Sequence, residues 1–365
     1  MSSPTYRLLL LTSDGIPIGE LAAWSELEIA LIANDVGQLR VTLGSLPYSV
    51  ERLVPDGMIE VWRQTAGGGT MLIGPYRWLI QRVEQQRNED GTRIVTLHAM
   101  TPLGLLATRV VRAFAGSAEA SKTGPADNLI KAIVREQAGA LAAASRRIPG
   151  LSITADVGAG ASMTRAFAWR NVLSTLQSIA QASTQAGVYL AFDVTFDGES
   201  GWIFDAYTGQ RGEDRRSTMV FGDGLGNLGA WSLTLDYSDE ATHVTCGGQG
   251  DGSDRLIATA QDDARIAASP YRWRERFKDA TMYNTSAGLA NEADQVLREG
   301  RPRLIAQATI APTETSRYGI DWQWGDYVTL RLLDVSLDAR IDAVVIGVRR
   351  GQETIRAGLR AEGEL

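Results

Sequence analysis

The chain has 365 residues, of which 44% are hydrophobic and 22% charged, and its formal net charge is −7. This length corresponds to about two to three domains, and the acidic balance argues against a surface that grips nucleic acid. A single cysteine excludes an intrachain disulfide, two histidines argue against a dedicated zinc site, and no apolar run approaches the length of a membrane span.

Residues 1–104 are predicted to form an N-terminal, tube-like β-barrel domain. Apolar and polar residues alternate in YRLLLL, SELEIALI and GQLRVTLG, which is typical of half-buried strands. Turn signals at Asp14-Gly15, Asn34-Asp35, AGGG and RNEDG join consecutive strands into hairpins. Such a series of hairpins favours a small antiparallel barrel.

Residues 105–230 are predicted to form an inserted α+β module. TGPADNLIKAIVREQAG has Pro125 at the first helical position and Gly139 as its stop, and RNVLSTLQSIAQASTQAG is a second amphipathic helix. A hairpin that turns at Asp197-Gly198 follows them. GSAEASKT, at 116–123, has Ser121 where a phosphate-binding loop requires glycine, so a surface loop is predicted there.

Residues 231–365 are predicted to form a second tube-like β-barrel domain, with one helix at about 286–299. Strand patterns return in WSLTLDYS, RLIAQATI, DYVTLRLL and RIDAVVIGVRR. The helix SAGLANEADQVLREG has Ser286 as its predicted N-cap and Gly300 as its stop.

One strand pattern occurs near both ends of the chain. GMIEVWR at 57–63 aligns with GDYVTLR at 325–331, and a long hairpin follows each. This order predicts two related barrels in one chain. The predicted fold is thus α+β and mainly β, with two similar tube-type antiparallel β-barrel domains and an inserted α+β module. Trp62 and Trp324 are predicted to mark equivalent barrel positions and to contribute to a subunit interface.

No pattern of residues predicts catalysis or cofactor binding. The glycine-rich GDGLGNLG leads into a strand rather than a helix, which favours a turn over a dinucleotide site. A glycoside-hydrolase carboxylate pair drawn from Asp193, Asp197, Glu199 and Asp205 is the weaker interpretation, because these acids surround one hairpin tip. His98 and His243 are interpreted as ordinary strand residues. Cys246, which follows an alternating strand, is interpreted as a buried small apolar group rather than a reactive thiol.

PYRWRERFKDA, at 270–280, combines basic and aromatic residues. Stacking on nucleic acid is one interpretation. An interface anchor is the preferred one in an acidic chain, because Trp, Tyr and Arg predominate at interface hot spots. Arg272, Trp273 and Arg274 are therefore predicted to contribute to a contact between subunits.

Several stretches resemble the tail hub proteins of siphophages. They are TGPADNLIKAIVREQAG, the segment GNLGAWSLTLDYSDEATHVTCGGQGDGSDRLI, the opening LAAWSELEIALIANDVGQLRVTL, and the closing WGDYVTLR and VVIGVRRGQETIRAGLR. They occur in the same order as in that family and span most of the chain.

The resemblance implies a baseplate-hub-like homotrimer with a pseudo-sixfold ring of barrels at the tail tip. The implied partners are the distal tail protein, the tape-measure protein and tail spike or fibre proteins, and no cofactor is implied. DNA would pass through the lumen without specific binding. The implied location is the virion tail, after synthesis in the host cytoplasm and without membrane insertion.

The charge distribution is consistent with a DNA channel. Residues 1–104 carry 8 basic and 11 acidic groups, residues 231–365 carry 16 and 21, and residues 105–230 carry 12 and 11. Acidic barrel segments would repel phosphate weakly and let the duplex slide.

Two other functions stay open at this point. One is a tail-associated cell-wall hydrolase, for which the sequence up to Leu365 is expected to leave no room after the second barrel. The other is the hub of a gene transfer agent or contractile injection system.

Overall fold

Strands joined by the predicted hairpins form the N-terminal segment. The computed structural model describes residues 4–44, 56–65, 69–112, 120–199, 201–271, 273–281, 283–311 and 313–364. The strands of this segment are β1 (Thr5–Leu11), β2 (Pro17–Glu20), β3 (Trp24–Ile32), β4 (Gln38–Leu43), β5 (Met58–Gln64), β6 (Thr70–Leu72), β7 (Trp78–Arg87) and β8 (Arg93–Met100). All four predicted hairpins are confirmed, since β1–β2, β3–β4, β5–β6 and β7–β8 pair antiparallel. Asn34, in the turn between β3 and β4, has a φ of 57°, a conformation that Asn tolerates better than most residues.

The middle segment contains the two predicted helices and several short strands. Its elements are α1 (Gly104–Ala107), β9 (Ala120–Pro125), α2 (Ala126–Gln137), β10 (Leu151–Ile153), β11 (Ser162–Phe167), α3 (Val172–Gln185), β12 (Leu190–Phe196), β13 (Trp202–Thr208) and β14 (Val220–Gly222). The strands β10-β13-β12 form one sheet and β9-β11 another. Asn171 caps α3, because its side chain accepts a hydrogen bond from the Ser174 amide at 3.1 Å.

The loop predicted at 116–123 is wrong for residues 120–123. These residues belong to β9, which pairs antiparallel with β11 along its whole length. A strand partner 40 or so residues further along the chain is not visible in a local pattern. Residues 116–119 lie outside the described residues.

The C-terminal segment returns to long strands. Its elements are β15 (Leu228–Asp236), β16 (His243–Gly247), β17 (Ile257–Gln261), α4 (Asp263–Ala268), β18 (Glu275–Asp279), α5 (Ser286–Glu299), β19 (Arg303–Ile310), β20 (Tyr327–Leu332), β21 (Val335–Arg349) and β22 (Gln352–Glu364). Helix α5 matches the predicted helix, but its N-cap is Thr285 and not Ser286. The Thr285 hydroxyl accepts the hydrogen bond from the Gly288 amide at 3.2 Å.

Fourteen of the described strands form one sheet from both ends of the chain. Its order is β15-β19-β22-β21-β3-β4-β8-β7-β5-β1-β2, with β6 beside β5, β20 beside β21 and β14 beside β20. Every pair is antiparallel except β14–β20. The expectation of a mainly β, antiparallel fold is confirmed, and fourteen of its strands form one large sheet.

The two predicted barrels are joined more closely than the sequence suggested. Because β21 pairs with β3, both ends contribute to one continuous sheet. Among the described strands the pairing runs open from β2 to β15, and no closed ring of hydrogen-bonded strands is present.

Three hydrophobic cores underlie this arrangement. The largest contains side chains from residues 8–99 and 219–361, so the two ends of the chain share it. A second core lies mainly within residues 103–206, between α2, α3 and the sheet β10-β13-β12. A third lies under α5 and the small sheet β17-β16-β18. The domain boundaries at 104 and 230 stay a prediction.

Among the described residues, none of the helices combines the length and the apolar character needed to cross a membrane.

Candidate functional site

Both ends of the chain repeat one strand order. We call residues 5–100, with β1, β3, β4, β5, β7 and β8, the first half. The second half consists of β14, the last strand of the middle segment, and of residues 228–364, with β15, β19, β20, β21 and β22. Hydrogen-bonded neighbours run β1-β5-β7-β8-β4-β3 in the first half and β14-β20-β21-β22-β19-β15 in the second. When the six strands of each half are ranked in chain order, the order of hydrogen-bonded neighbours is the same in both halves. The counterparts are therefore β1 and β14, β3 and β15, β4 and β19, β5 and β20, β7 and β21, and β8 and β22. The halves differ in one direction, since β14 is parallel to β20 whereas β1 is antiparallel to β5.

Two irregularities in the sheet show which residues correspond. The β7–β8 pairing shifts register between Ile80 and Arg82, and the β21–β22 pairing shifts between Ile341 and Ala343. A shift at the same point of the same hairpin makes Ile80 the counterpart of Ile341. The sequence repeat is therefore present as a structural repeat.

The alignment of the repeat inferred from sequence is wrong by one residue. Matching 57–63 to 325–331 makes Ile59 the counterpart of Tyr327. In the structure Ile59 is the counterpart of Val328. Ile59 pairs with Trp78, two residues before Ile80, and Val328 pairs with Ala339, two residues before Ile341. Ile59 and Val328 are both fully buried. A one-residue slip exchanges the two faces of a strand, and burial identifies the correct alignment.

The halves meet where β21 of the second half pairs with β3 of the first. Residues Ala343–Arg349 pair antiparallel with Glu26–Ile32, whereas the preceding residues Val335–Arg340 pair with β20. The long strand β21 thus passes from one half to the other. The buried side chains of this junction come from both strands: Leu27, Ile29, Leu31, Val344, Ile346 and Val348.

A buried ion pair connects the halves at a second place. Arg63 of β5 donates from Nε and Nη2 to the two carboxylate oxygens of Glu353 in β22, at 2.8 Å and 2.9 Å. Its Nη1 donates to the Tyr318 carbonyl at 3.1 Å. The Tyr6 hydroxyl donates to Glu353, and burial, reinforced by Glu353, raises the pKa of Tyr6 well above its ordinary value. Every charged group in this cluster therefore has a partner.

Arg211 joins both halves to the middle segment. Its Nη1 binds Asp193 of β12, which also accepts a hydrogen bond from the Tyr76 hydroxyl of the first half. Its guanidinium lies 3.9 Å from the ring centre of Trp324, in the second half. Burial, together with the charge of Asp193, raises the pKa of Tyr76 well above its ordinary value. The three contacts fix the relative positions of three parts of the chain.

The two tryptophans predicted as equivalent occupy different places. Trp62 lies within β5, half-buried, and donates from Nε1 to Glu60 at 3.1 Å. Trp324 lies before β20, is 8% exposed, and donates from Nε1 to the Asp342 carbonyl at 3.2 Å. Both indoles are thus used within the chain, and their contribution to a subunit interface stays a prediction.

The basic–aromatic cluster at 270–280 includes β18 of the small sheet β17-β16-β18. Arg272 is outside the described residues. Trp273 stacks on His243 with ring centres 4.1 Å apart and remains 50% exposed. Arg274 forms an ion pair with Glu240, whose side chain is 4% exposed. Arg274 therefore has a structural partner in its own chain, and the predicted subunit contact stays untested.

The acidic residues considered for hydrolysis are engaged in structural contacts. Asp193 and Asp205 face each other across β12 and β13, but Asp193 pairs with Arg211 and Asp205 with Lys131 at 3.3 Å. Asp197 accepts hydrogen bonds from the backbone amides of its own turn, at 2.8 Å and 2.9 Å. Glu199 is exposed at that turn.

Both histidines occupy strand positions, as predicted, whereas Cys246 lies within β16 and not after a strand. His98 lies in β8 at 3.3 Å from Glu84, and His243 lies in β16 under Trp273. Cys246 is a free, buried thiol, and burial raises its pKa to about 11. Within the described ranges, no three His, Cys, Asp or Glu side chains are grouped to hold a metal ion.

Sequence reasoning did not identify Arg63, Arg211 or Glu353. Arg63 stands at a buried position of a strand whose neighbours Ile59 and Val61 are apolar. A charged residue in such a strand indicates a buried partner. The sequence does not show which residue that partner is, because Arg63 and Glu353 lie far apart in the chain.

Three solved structures share this fold over nearly the whole chain. The tail protein from Neisseria meningitidis MC58 is 14% identical, with 98% of this chain and 96% of that chain covered and a TM-score of 0.57. The 43 kDa tail protein of prophage MuSo2 from Shewanella oneidensis is 11% identical, with 97% of each chain covered and a TM-score of 0.56. Prophage tail protein gp18 from Listeria monocytogenes EGD-e is 11% identical, with 97% and 94% covered and a TM-score of 0.54. At these identities the likeness shows the fold.

The sequence itself identifies the family. No curated protein matches the chain significantly. The sequence profile of one siphovirus family matches residues 7–359, nearly the whole chain. Together with the fold, this match confirms the resemblance to siphophage tail proteins. The chain belongs to the family of Siphovirus ReqiPepy6 Gp37-like proteins.

Proposed function

We propose that this chain is the structural hub of a siphophage-like tail tip. Three copies form a pseudo-sixfold ring that ends the tail tube. The ring joins the distal tail protein to spike or fibre proteins, contacts the end of the tape-measure protein, and lets DNA pass. The function is mechanical, with no chemical reaction.

The repeated strand order is the observation that carries this proposal. Three chains with two similar halves each present six similar units around one axis. A closed ring of this kind meets sixfold partners on one side and threefold partners on the other. The junction of β3 and β21 supports the idea, because it shows that two such halves join edge to edge into a continuous sheet.

The surface near the junction carries charges of both signs. The face opposite the core carries Glu26 and Glu28 beside Arg40, Arg349 and Arg356. Arg349 contacts Glu26 at 3.3 Å. Specific or tight DNA binding requires basic groups that neutralise phosphates and release counterions. Arg349, which already contacts Glu26, provides little of this effect.

Localisation on the particle tests the proposal. In virions that contain this chain, a gold-labelled antibody against it should mark the end of the tail that is distal to the head. Label distributed along the tube, or confined to the head, would exclude a hub. Zymography on peptidoglycan with the same purified chain should show no clearing.

A further inference from the structure

We propose that neighbouring copies join by antiparallel pairing of β7 of one copy with β15 of the next. This inference rests on the proposed ring and names the strands that close it. The partner is a second copy of this chain, and the contact is a β-ladder that extends the large sheet from copy to copy.

Both strands have an edge to which the described part of the chain supplies no partner. Residues Arg82–Arg87 of β7 pair with β8 on one side, and the contact of β7 with β5 ends at Trp78 and Leu79. Strand β15 pairs with β19 on one side. An unpaired edge presents a row of free N–H and C=O groups to another strand.

Strand β15 lacks the features that usually protect an exposed edge of a sheet. Its nine residues, LGAWSLTLD, contain no charged residue before Asp236 and no proline. Natural edge strands are usually short or protected by lysine, proline or a charge that points inward. Leu235 is 51% exposed at this strand. A long apolar edge of this kind needs a cover, and the repeat indicates which strand supplies it.

The partner follows from the strand counterparts. In the repeat, β7 corresponds to β21 and β15 corresponds to β3. Strands β21 and β3 pair antiparallel within one chain. Applying the same relation to the remaining counterparts pairs β7 with β15, and each of these two strands has an open edge. They belong to different copies in a ring, which then alternates one junction within a chain with one junction between chains.

The register of the new ladder follows from the same counterparts. Arg82 corresponds to Ala343 after the irregularity, so Val83 corresponds to Val344. On the other strand, Leu359 pairs with Ala308, which pairs with Trp231. In the first half its counterpart Ala99 pairs with Leu39, which pairs with Ile29. Trp231 is therefore the counterpart of Ile29, and Leu233 is the counterpart of Leu31. Val344 pairs with Leu31 within the chain. We therefore expect Val83 to face Leu233 of the next copy, and Glu84 to face Ser232.

Side chains at the junction within one chain are more deeply buried than their counterparts at the proposed junction between chains, as this pairing predicts. Val344 is 0% exposed and Leu31 is 1% exposed. Their counterparts Val83 and Leu233 are only partly buried, although both pack against the large shared core. Pairing of β7 with β15 would cover these side chains from the open side. Burial of apolar area is the main source of free energy for such a contact.

The contact is heterologous, since β7 and β15 are different surfaces. Contacts of this type give a closed ring when the rotation closes and a filament when it does not. Repetition of the in-chain relation at each copy supports closure.

Cysteine cross-linking tests the register directly. All variants carry Cys246→Ala, so that the native thiol does not react. Two adjacent pairs are tested, Glu84→Cys with Ser232→Cys and Val83→Cys with Leu233→Cys. Adjacent antiparallel pairs alternate between the two hydrogen-bonding geometries, so one pair of each kind is sampled. Glu84 and Ser232 are exposed, which makes the first pair mild for folding.

Two controls accompany these variants. Glu84→Cys with Leu233→Cys places the thiols on opposite faces of the proposed ladder, so it should not cross-link. Leu31→Cys with Val344→Cys bridges the corresponding residues within one chain, so it should lose free thiol without a change of mass. Together they show that the chemistry reports the register.

The expected result is loss of the monomer band on a non-reducing gel in favour of a covalent trimer, for at least one of the two pairs. Light scattering on the samples before oxidation tests the proposed trimer separately from the proposed β7–β15 contact. A trimeric mass without cross-linking above the opposite-face control would overturn the β7–β15 contact and leave the hub standing. A monomeric mass at all concentrations would overturn both.

Discussion

Arg63 and Glu353 form a two-point ion pair between the first and second halves, with N–O distances of 2.8 Å and 2.9 Å. Their side chains are 6% and 13% exposed. The pair lies at the edge of the core that the halves share, and Tyr6 completes it from β1. The relative position of the halves, on which a ring would depend, is therefore set by charge as well as by apolar packing.

Removal of Glu353 should destabilise the joined halves strongly. Glu353→Ala leaves the buried guanidinium of Arg63 without its carboxylate, and loss of one partner of a buried pair costs about 3–5 kcal/mol. Equilibrium unfolding in denaturant measures the change in the free energy of unfolding. Glu26→Ala at the exposed pair with Arg349 is the control, and it should change stability by less than about 1 kcal/mol. Equal effects of both substitutions would contradict the role of the buried pair.

Arg211 should be needed to keep the middle segment against the two halves. Arg211→Ala leaves Asp193, which is 5% exposed, without its cation and removes the contact with Trp324. We expect a loss of about 3–5 kcal/mol and faster proteolysis between β13 and β14. Arg211→Lys keeps the charge but not the planar contact with the indole, so its effect should be intermediate. Lysine as harmful as alanine would show that packing on Trp324 dominates.

Charge reversal at Arg274 should destabilise the small sheet β17-β16-β18 rather than a subunit contact. Arg274→Glu places a carboxylate beside Glu240, which is 4% exposed, and like charges at a buried site are unfavourable. Hydrogen exchange of the β16 amides should become faster. Lys278→Glu makes the same charge change at an exposed residue of β18 and should leave this exchange unchanged. A fall in oligomeric mass with normal exchange in Arg274→Glu would instead support the predicted interface role.

Alkaline pH should destabilise the fold through Tyr207, a partly buried tyrosine of β13. Burial raises the pKa of Tyr207 to about 12, from an ordinary value of 10.0. Below pH 10 the phenol is protonated in both states, and its contribution to stability is fully present. Above pH 10 the unfolded chain loses this proton first, so stability falls as pH rises toward about 12. The loss for this group is at most about 3 kcal/mol.

Unfolding at several pH values between neutral and alkaline measures this effect. Tyr207→Phe should have a shallower decline of stability above pH 10 than the unchanged chain. Tyr271→Phe, at a residue that is 79% exposed, is the control and should keep the original slope. Identical slopes in all three proteins would contradict the assignment to Tyr207.

Local sequence patterns were sufficient for most individual elements. The hairpins follow from alternation around Gly and Asn turns, and α2, α3 and α5 follow from amphipathic periods with recognisable stops. The error at the cap of α5 has a simple cause. Thr285 and Ser286 are adjacent residues that both favour an N-cap, and only the hydrogen bond to Gly288 distinguishes them.

Long-range relations were not visible in the sequence. The β3–β21 ladder joins strands from opposite ends of the chain, and their alternation is equally compatible with pairing inside separate barrels. The partners of Arg63 and Arg211 could not be predicted for the same reason, since many carboxylates have a suitable charge. The one-residue error in the repeat arose because similar letters were aligned without knowledge of which face was buried.

Electron microscopy of the assembled chain tests the central claim most directly. Averaged views along the symmetry axis should show a ring of three chains with six similar lobes and an open centre. Lobes of two clearly unlike shapes, a number of lobes other than six, or a particle without a central opening would contradict the account.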